Sequence, residues 1–140
     1  MKDFKDKVVV ITGGATGIGY AFAKRLGKEG AKIVIAGIRE DRVKEATNSL
    51  KELNIDCASL VCDVTNEDDL IKLETFSRSQ FGSIDVLINN AGIAGVRKTV
   101  FEMTAGEAQQ VLDVNFYAVW NAIRIFGCLL YTSPSPRDRG

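Results

Sequence analysis

The chain has 140 residues, 46% of them apolar and 26% charged, with no net charge at pH 7. That length makes one domain or most of one, and balanced charge offers no footprint for nucleic acid or a membrane surface. There is no histidine, which removes Ser-His-Asp and Cys-His catalysis and most zinc sites, so no metal centre is expected.

The first element is the run Val8-Val9-Val10-Ile11, a continuously apolar, β-branched strand of the kind buried on both faces. It runs into Thr12-Gly13-Gly14-Ala15-Thr16-Gly17-Ile18-Gly19. A glycine loop between a buried strand and a helix lets backbone approach a pyrophosphate, and the helix N-terminus offers free N–H groups to it. The spacing is not G-x-G-x-x-G, and a tight turn packing a helix on a strand remains the other reading. The helix that follows is expected to bury Ile18, Phe22 and Leu26 and to stop at Gly30.

A second strand is expected at 33–35, followed by Ala36-Gly37-Ile38-Arg39-Glu40-Asp41. A carboxylate in this loop would favour NAD through the ribose hydroxyls, and a cation would favour NADP through a 2′-phosphate. Gly37 carries no carboxylate and Arg39 is near, so the loop leans to NADP. Glu40 keeps NAD open, and a solvated charged turn is the plainer alternative. The second helix takes Asp41 as its cap and Val43, Ala46, Leu50 and Leu53 as its buried stripe.

A weaker strand at 58–62 leads to Cys62-Asp63-Val64-Thr65, where Asp63 either accepts from an adenine amino group or caps the next helix. That helix begins at Asn66, carries Glu67, Asp68 and Asp69 in its first turn, and buries Leu70, Leu73 and Phe76. The strand at 86–88 ends in Asn89-Asn90-Ala91-Gly92, either an asparagine-rich turn or a place where backbone passes close to a ligand. Thr104-Ala105-Gly106-Glu107 is a capping box that opens a long fourth helix reaching about Phe126. Its apolar surface is wide, through Val111, Leu112, Ala118, Val119, Ala122, Ile123 and Phe126, which suggests packing on the sheet and on something else. Asn115 falls on that stripe. A buried amide needs partners, so it is either a structural hydrogen bond or a functional group that holds a water or a bent helix.

Strands alternating with helices predict an α/β fold, a doubly wound parallel sheet of Rossmann type, with ligands at the carboxyl ends of the strands. Cys57 and Cys62 lack CxxC spacing and read as reduced, structural thiols in a cytoplasmic protein. The N-terminus has no apolar signal region, and no apolar run is long enough to span a bilayer.

Together, Thr-Gly-x-x-x-Gly-Ile-Gly, then Asp63-Val64, then Asn89-Asn90-Ala91-Gly92, then Asn115 within Val114-Asn115-Phe116 resemble the classical short-chain dehydrogenase/reductase family over about residues 7–126. The resemblance implies an NAD(P)-dependent oxidoreductase, with NADP favoured over NAD by Arg39, acting on a small carbonyl or alcohol substrate. It implies that Gly13, Gly17, Ile18 and Gly19, with Thr12 at the head of the loop, serve the cofactor diphosphate. Asp63 and Val64 would hold adenine. Asn90, Ala91 and Gly92 would pass the cofactor ribose, Asn89 would tie strands together, and Asn115 would match the family's catalytic asparagine.

The family's chemistry also needs a serine and a Tyr-x-x-x-Lys on the next strand and helix. The only tyrosine followed four on by lysine is Tyr20 with Lys24, in the first helix. Both prolines lie in residues 128–140, and residues 128–138 look like the in-frame translation of a sequencing-library adapter. The expected organisation is therefore an incomplete cofactor-binding domain over 1–127, truncated after its fourth β-α unit, and an artefactual or disordered tail over 128–140. The part before the tail is weakly acidic. A longer parent would be active and homo-oligomeric, while this chain would be inactive, poorly stable and prone to aggregate. The alternatives are a non-catalytic dinucleotide-binding module and a Rossmann-like methyltransferase, the latter disfavoured by the Asn-Asn-Ala-Gly segment and Asn115.

Overall fold

Four strands, β1 (Val8–Thr12), β2 (Lys32–Gly37), β3 (Cys57–Val61) and β4 (Val86–Asn89), pair in parallel in the order β3-β2-β1-β4. The register sets Val10 against Val34 on one side and Leu87 on the other. A computed structural model describes residues 3–92, 102 and 104–132, the last five of these as backbone only. The order reverses at β1: the chain moves outward through β2 and β3, then returns to add β4 on the opposite side. That reversal opens a crevice at the carboxyl ends of β1 and β4.

The central strands are apolar on both sides because both sides are covered. Val9, Ile11, Ile33 and Ile35 form one core layer with Ala23, Ala46 and Leu50, while Val10 and Val34 form the other with Leu70, Leu73, Ala122 and Phe126. Each such large side chain removed from water stabilises the fold by about 1.5–3 kcal/mol. The first layer is roofed by α1 (Gly17–Lys28) and α2 (Glu40–Glu52). The second is roofed by α3 (Glu67–Phe81) and α5 (Ala118–Thr132). Strand β3 begins one residue earlier than its pattern suggests, so Cys62 falls just past the strand and is still buried.

Helix α1 packs on a different face from the expected one. Ile18 is 70% exposed and Phe22 44%, whereas Gly19, Ala23 and Gly27 are buried. The helix lies too close to the sheet for large side chains. A Cβ on Gly27 would sit 2.5 Å from Ile55 Cγ2, and one on Gly19 only 2.1 Å from the Gly13 carbonyl oxygen. Leu26 is half-buried at the edge of the same layer, and Gly30, at φ +96°, turns the chain beyond the helix.

Helix α2 starts one residue before the expected cap. Arg39 holds the N-cap position without a side-chain hydrogen bond, and Asp41 lies inside the first turn, where the dipole favours an acid. Val43, Ala46 and Leu50 are buried as expected, but Leu53 lies past the helix end and is 40% exposed. Its place in the buried stripe goes to Thr47, whose hydroxyl donates to the Val43 carbonyl at 2.7 Å. The cap of α3 is Asn66, whose Oδ1 accepts from the Asp69 N–H at 3.2 Å.

The long fourth helix is not continuous. The capping box is present: Thr104 Oγ1 accepts from the Glu107 N–H at 3.1 Å at the start of α4 (Ala105–Leu112). A π-helical turn (Asp113–Tyr117) then intervenes before α5, with the Ala118 N–H donating to the carbonyl of Asp113, five residues back. The backbone of α5 continues to Thr132, past the expected end near Phe126, and residues 133–140 lie outside the described residues.

Candidate functional site

The loops at the carboxyl ends of all four strands meet around one cleft of about 310 Å³. Gly13, Ala15 and Thr16 come from the loop after β1, and Gly37, Ile38, Arg39 and Arg42 follow β2. Cys62, Asp63 and Val64 follow β3; Asn90, Ala91 and Gly92 follow β4; Val114 comes from the π-turn. A second recess of about 380 Å³ adjoins it between α1 and α2, sharing Ala15, Thr16 and Arg42 with the first.

Thr12 lines neither recess. It is 1% exposed, and its hydroxyl accepts from the N–H groups of Asn90 at 3.1 Å and Ala91 at 3.2 Å while donating to the Ile88 carbonyl at 3.5 Å. It therefore clamps the first loop to the fourth. A second tie is the Asn90 Nδ2 donating to the Gly13 carbonyl at 3.1 Å. Gly13 needs its missing side chain twice over: φ is +65°, and a Cβ would meet the Ala91 backbone at 3.0 Å.

Helix α1 opens beside both recesses. Thr16 at its N-cap makes no side-chain capping bond, and no acid stands in its first turn. The N–H groups of that turn are among those a helix cannot satisfy internally, so the place is suited to an anion. Gly17 lines the second recess only. Ile18 is exposed beside it and Gly19 is buried under it; neither lines a recess.

Asp63 does not cap α3. Its Oδ1 accepts from Thr65 N at 2.9 Å and from Thr65 Oγ1 at 2.6 Å, and its own N–H donates to Asp69 Oδ2 at 2.9 Å. This network holds the carboxylate on the cleft wall. Beside it Cys62 is 2% exposed, and burial pushes its thiol pKa up to about 12, with the charges of Asp69 and Asp63 adding to the effect. Cys57 is raised too, chiefly by burial. Both thiols are free and protonated at neutral pH, which makes them poor nucleophiles.

Arg39 reaches Asp41 at 3.8 Å, and both are well exposed. Glu40 pairs with Lys44 at 3.2 Å on the outer side of α2 and lines neither recess. Asn115 lies in the π-turn and is exposed rather than buried, because the extra residue of that turn rotates it off the stripe that Ala118, Ala122 and Phe126 continue. It stands at the cleft mouth, its Oδ1 3.0 Å from where a Cβ on Gly92 would be. Ala15, Thr16, Ile38, Arg42, Cys62 and Val114 were not singled out as site residues by sequence. Of these, Arg42 looks in the sequence like the other exposed charges of its helix. Among the described residues no group of His, Cys, Asp and Glu is arranged to hold a metal ion, and no helix is long and apolar enough to cross a membrane.

A family model described as short chain dehydrogenase matches residues 7–133. The 3beta-hydroxysteroid dehydrogenase of Mediterraneibacter gnavus is 37% identical over 115 residues, 82% of this chain and 42% of that protein. Tropinone reductase-like 1 of Erythroxylum coca is 35% identical over 144 aligned residues, 94% of this chain and 52% of that protein. Among solved structures, NAD+-bound xylitol dehydrogenase superposes with a TM-score of 0.89 at 31% identity, over 94% of this chain and 50% of the other. The chain spans about half the length, or less, of the curated relatives it matches.

Proposed function

The chain belongs to the short chain dehydrogenase family, and from that membership we propose that it is the cofactor-holding part of an NAD(P)-dependent oxidoreductase, with NADP favoured. One observation carries the reading: loops from all four strand ends converge on a single cleft beside an uncapped helix N-terminus. A nicotinamide cofactor, when bound, supplies the carbon that gives or takes a hydride. The NAD+-bound xylitol dehydrogenase supports a nicotinamide dinucleotide in this class of site.

The chain's own residues divide the work of holding and orienting. The first-turn N–H groups of Gly17, Ile18 and Gly19 bind the diphosphate, and the Gly13 turn lets it approach. Asp63, with Oδ1 held by Thr65, presents Oδ2 to an adenine amino group, and Val64 packs beside it. Asn90, Ala91 and Gly92 border the nicotinamide-side ribose, and Thr12 positions them without touching the ligand. Arg39 faces the adenosine ribose. Asn115, across from Gly92, holds a water for a proton relay, the role its resemblance implies.

The substrate is a small ketone or secondary alcohol. The relatives' names span a hydroxysteroid, tropinone and xylitol, which supports that class and no single compound. The serine and Tyr-x-x-x-Lys that the resemblance requires are not supplied by Tyr20 and Lys24, which lie on α1. We therefore assign this chain cofactor binding, and assign turnover to a longer, cytoplasmic, homo-oligomeric protein that would supply that serine and Tyr-x-x-x-Lys.

The test is a fluorescence titration of the 140-residue chain with NADPH and NADH, alongside an assay on a panel of ketones and alcohols. Saturable binding, tighter for NADPH, with no turnover is expected. Binding of neither overturns the cofactor reading. Turnover overturns the division between chain and parent.

A further inference from the structure

Resting on the reading that Asp63 takes an adenine amino group, we infer that Thr65 and Asp69 are the positioning residues that make the cleft specific for adenine over 6-oxo purines. Asp63 is on the wall of the main cleft, whereas Thr65 and Asp69 line neither recess. They act on the base through Asp63 alone. A carboxylate has two equivalent oxygens on a broadly turning χ2, and it accepts from whatever donor comes near. Left mobile, it would take the amino group of adenine and, after a turn, the N1–H of a 6-oxo purine. Selection requires one oxygen fixed where the amino group arrives.

The segment 65–69 holds every polar group of Asp63 but one. Its N–H donates to Asp69 Oδ2 at 2.9 Å, and its carbonyl accepts from the Asn66 N–H at 3.0 Å. Its Oδ1 accepts from the N–H and the hydroxyl of Thr65 at 2.9 and 2.6 Å. Oδ2 is what remains for a ligand. The Asp69 bond fixes the backbone from which the side chain springs, and the two Thr65 bonds fix its rotation. The support is itself anchored. Helix α3, which carries Asp69, is seated by the fully buried Leu70 and Leu73, and the Asp69 N–H donates to Asn66 Oδ1 at 3.2 Å. An oxygen held in one place discriminates because it cannot turn to follow the wrong donor. A 6-oxo group would meet it acceptor against acceptor.

ADP and inosine 5′-diphosphate differ only at the 6-position and N1 of the base, so calorimetric titration of the full chain with each reads this contact. The wild type is expected to prefer ADP by roughly tenfold or more, the scale of one charge-assisted hydrogen bond. Thr65→Val, at an exposed position, is expected to cut that ratio by about threefold or more, the scale of one neutral hydrogen bond, and Asp69→Ala to do the same. Thr65→Ser, which keeps the hydroxyl, and Asp69→Asn, which keeps an acceptor for the Asp63 N–H, should hold most of it. A variant Thr65→Val or Asp69→Ala that keeps the wild-type ratio overturns the assignment, whether its affinities are unchanged or both fall together as a general loss of stability would make them. If the wild type binds both nucleotides equally, Asp63 does not read the base, and the role of Thr65 and Asp69 falls while the nucleotide site stands. If it binds neither, the cofactor reading itself falls.

Discussion

Val8, Val9, Val10 and Ile11 are exposed by 1% or less, whereas Leu112, Phe116, Trp120 and Ile123, equally apolar, are exposed by 48% to 59%. The strand residues find neighbours on both faces because this chain supplies helices to each side of the sheet. The helix residues divide. Ala118, Ala122 and Phe126, at four-residue spacing, dock on β4 and α3, while Phe116, Trp120 and Ile123 occupy another side that stays more than half exposed among the described residues. An apolar pattern thus reports the need for a partner, not where the partner comes from.

The comparison breaks most sharply at Phe126. Phe126→Ala empties the docked side of α5 and is expected to cost about 3–5 kcal/mol in urea unfolding, the range for a buried aromatic. A cost under 1 kcal/mol would mean that α5 is not anchored to the sheet. Next is Gly19→Ala, which forces a methyl against the Gly13 carbonyl and should cost about 1–3 kcal/mol by overpacking while weakening nucleotide binding. Retained affinity would show that the first loop can move away without harm. On the uncovered side, the double change Trp120→Ser and Ile123→Ser should shift stability by no more than about 0.5 kcal/mol per site. Sedimentation should then show less self-association, because an exposed apolar patch has been removed.

A further effect is with pH. Folded Cys62 holds its proton up to about pH 12, against a free-thiol value of 9.0, so its burial favours the folded state fully below pH 9. That contribution fades as pH rises from 9 toward 12, since the unfolded thiol ionises first. The urea midpoint should fall between pH 7.5 and 10, and fall less in Cys62→Ala. Equal slopes would exclude a role for this thiol.

The parallel sheet was legible because its strands are unbroken β-branched runs, which only two-sided burial explains. The packing face of α1 was misread by following the large apolar residues. Close approach to a sheet selects small ones, and Gly19, Ala23 and Gly27 at four-residue spacing carried that signal. The site's loops were legible as glycines and asparagines after strands. Two features were not. The π-turn was hinted at only through Asn115, an amide that could hold a bent helix, and the apolar periodicity around Asp113–Tyr117 does not place the extra residue. Arg42 sits within a helix whose other exposed charges are ordinary surface pairs, so its place on two recess walls emerges only when α1 and α2 are set side by side.

Thr12 and the fourth loop meet at sequence separations of 78 and 79. On the ribosome, such a contact has to wait. Strands β1, β2 and β3 can assemble with their helices as they emerge, but the β1–β4 pairing closes a long loop and is the slow, late step of such a topology. The nucleotide cleft is therefore the last part of the sheet to mature, and a nascent chain shorter than Gly92 has no fourth wall to offer. Nucleotide should protect stalled chains from protease only once they extend past that residue.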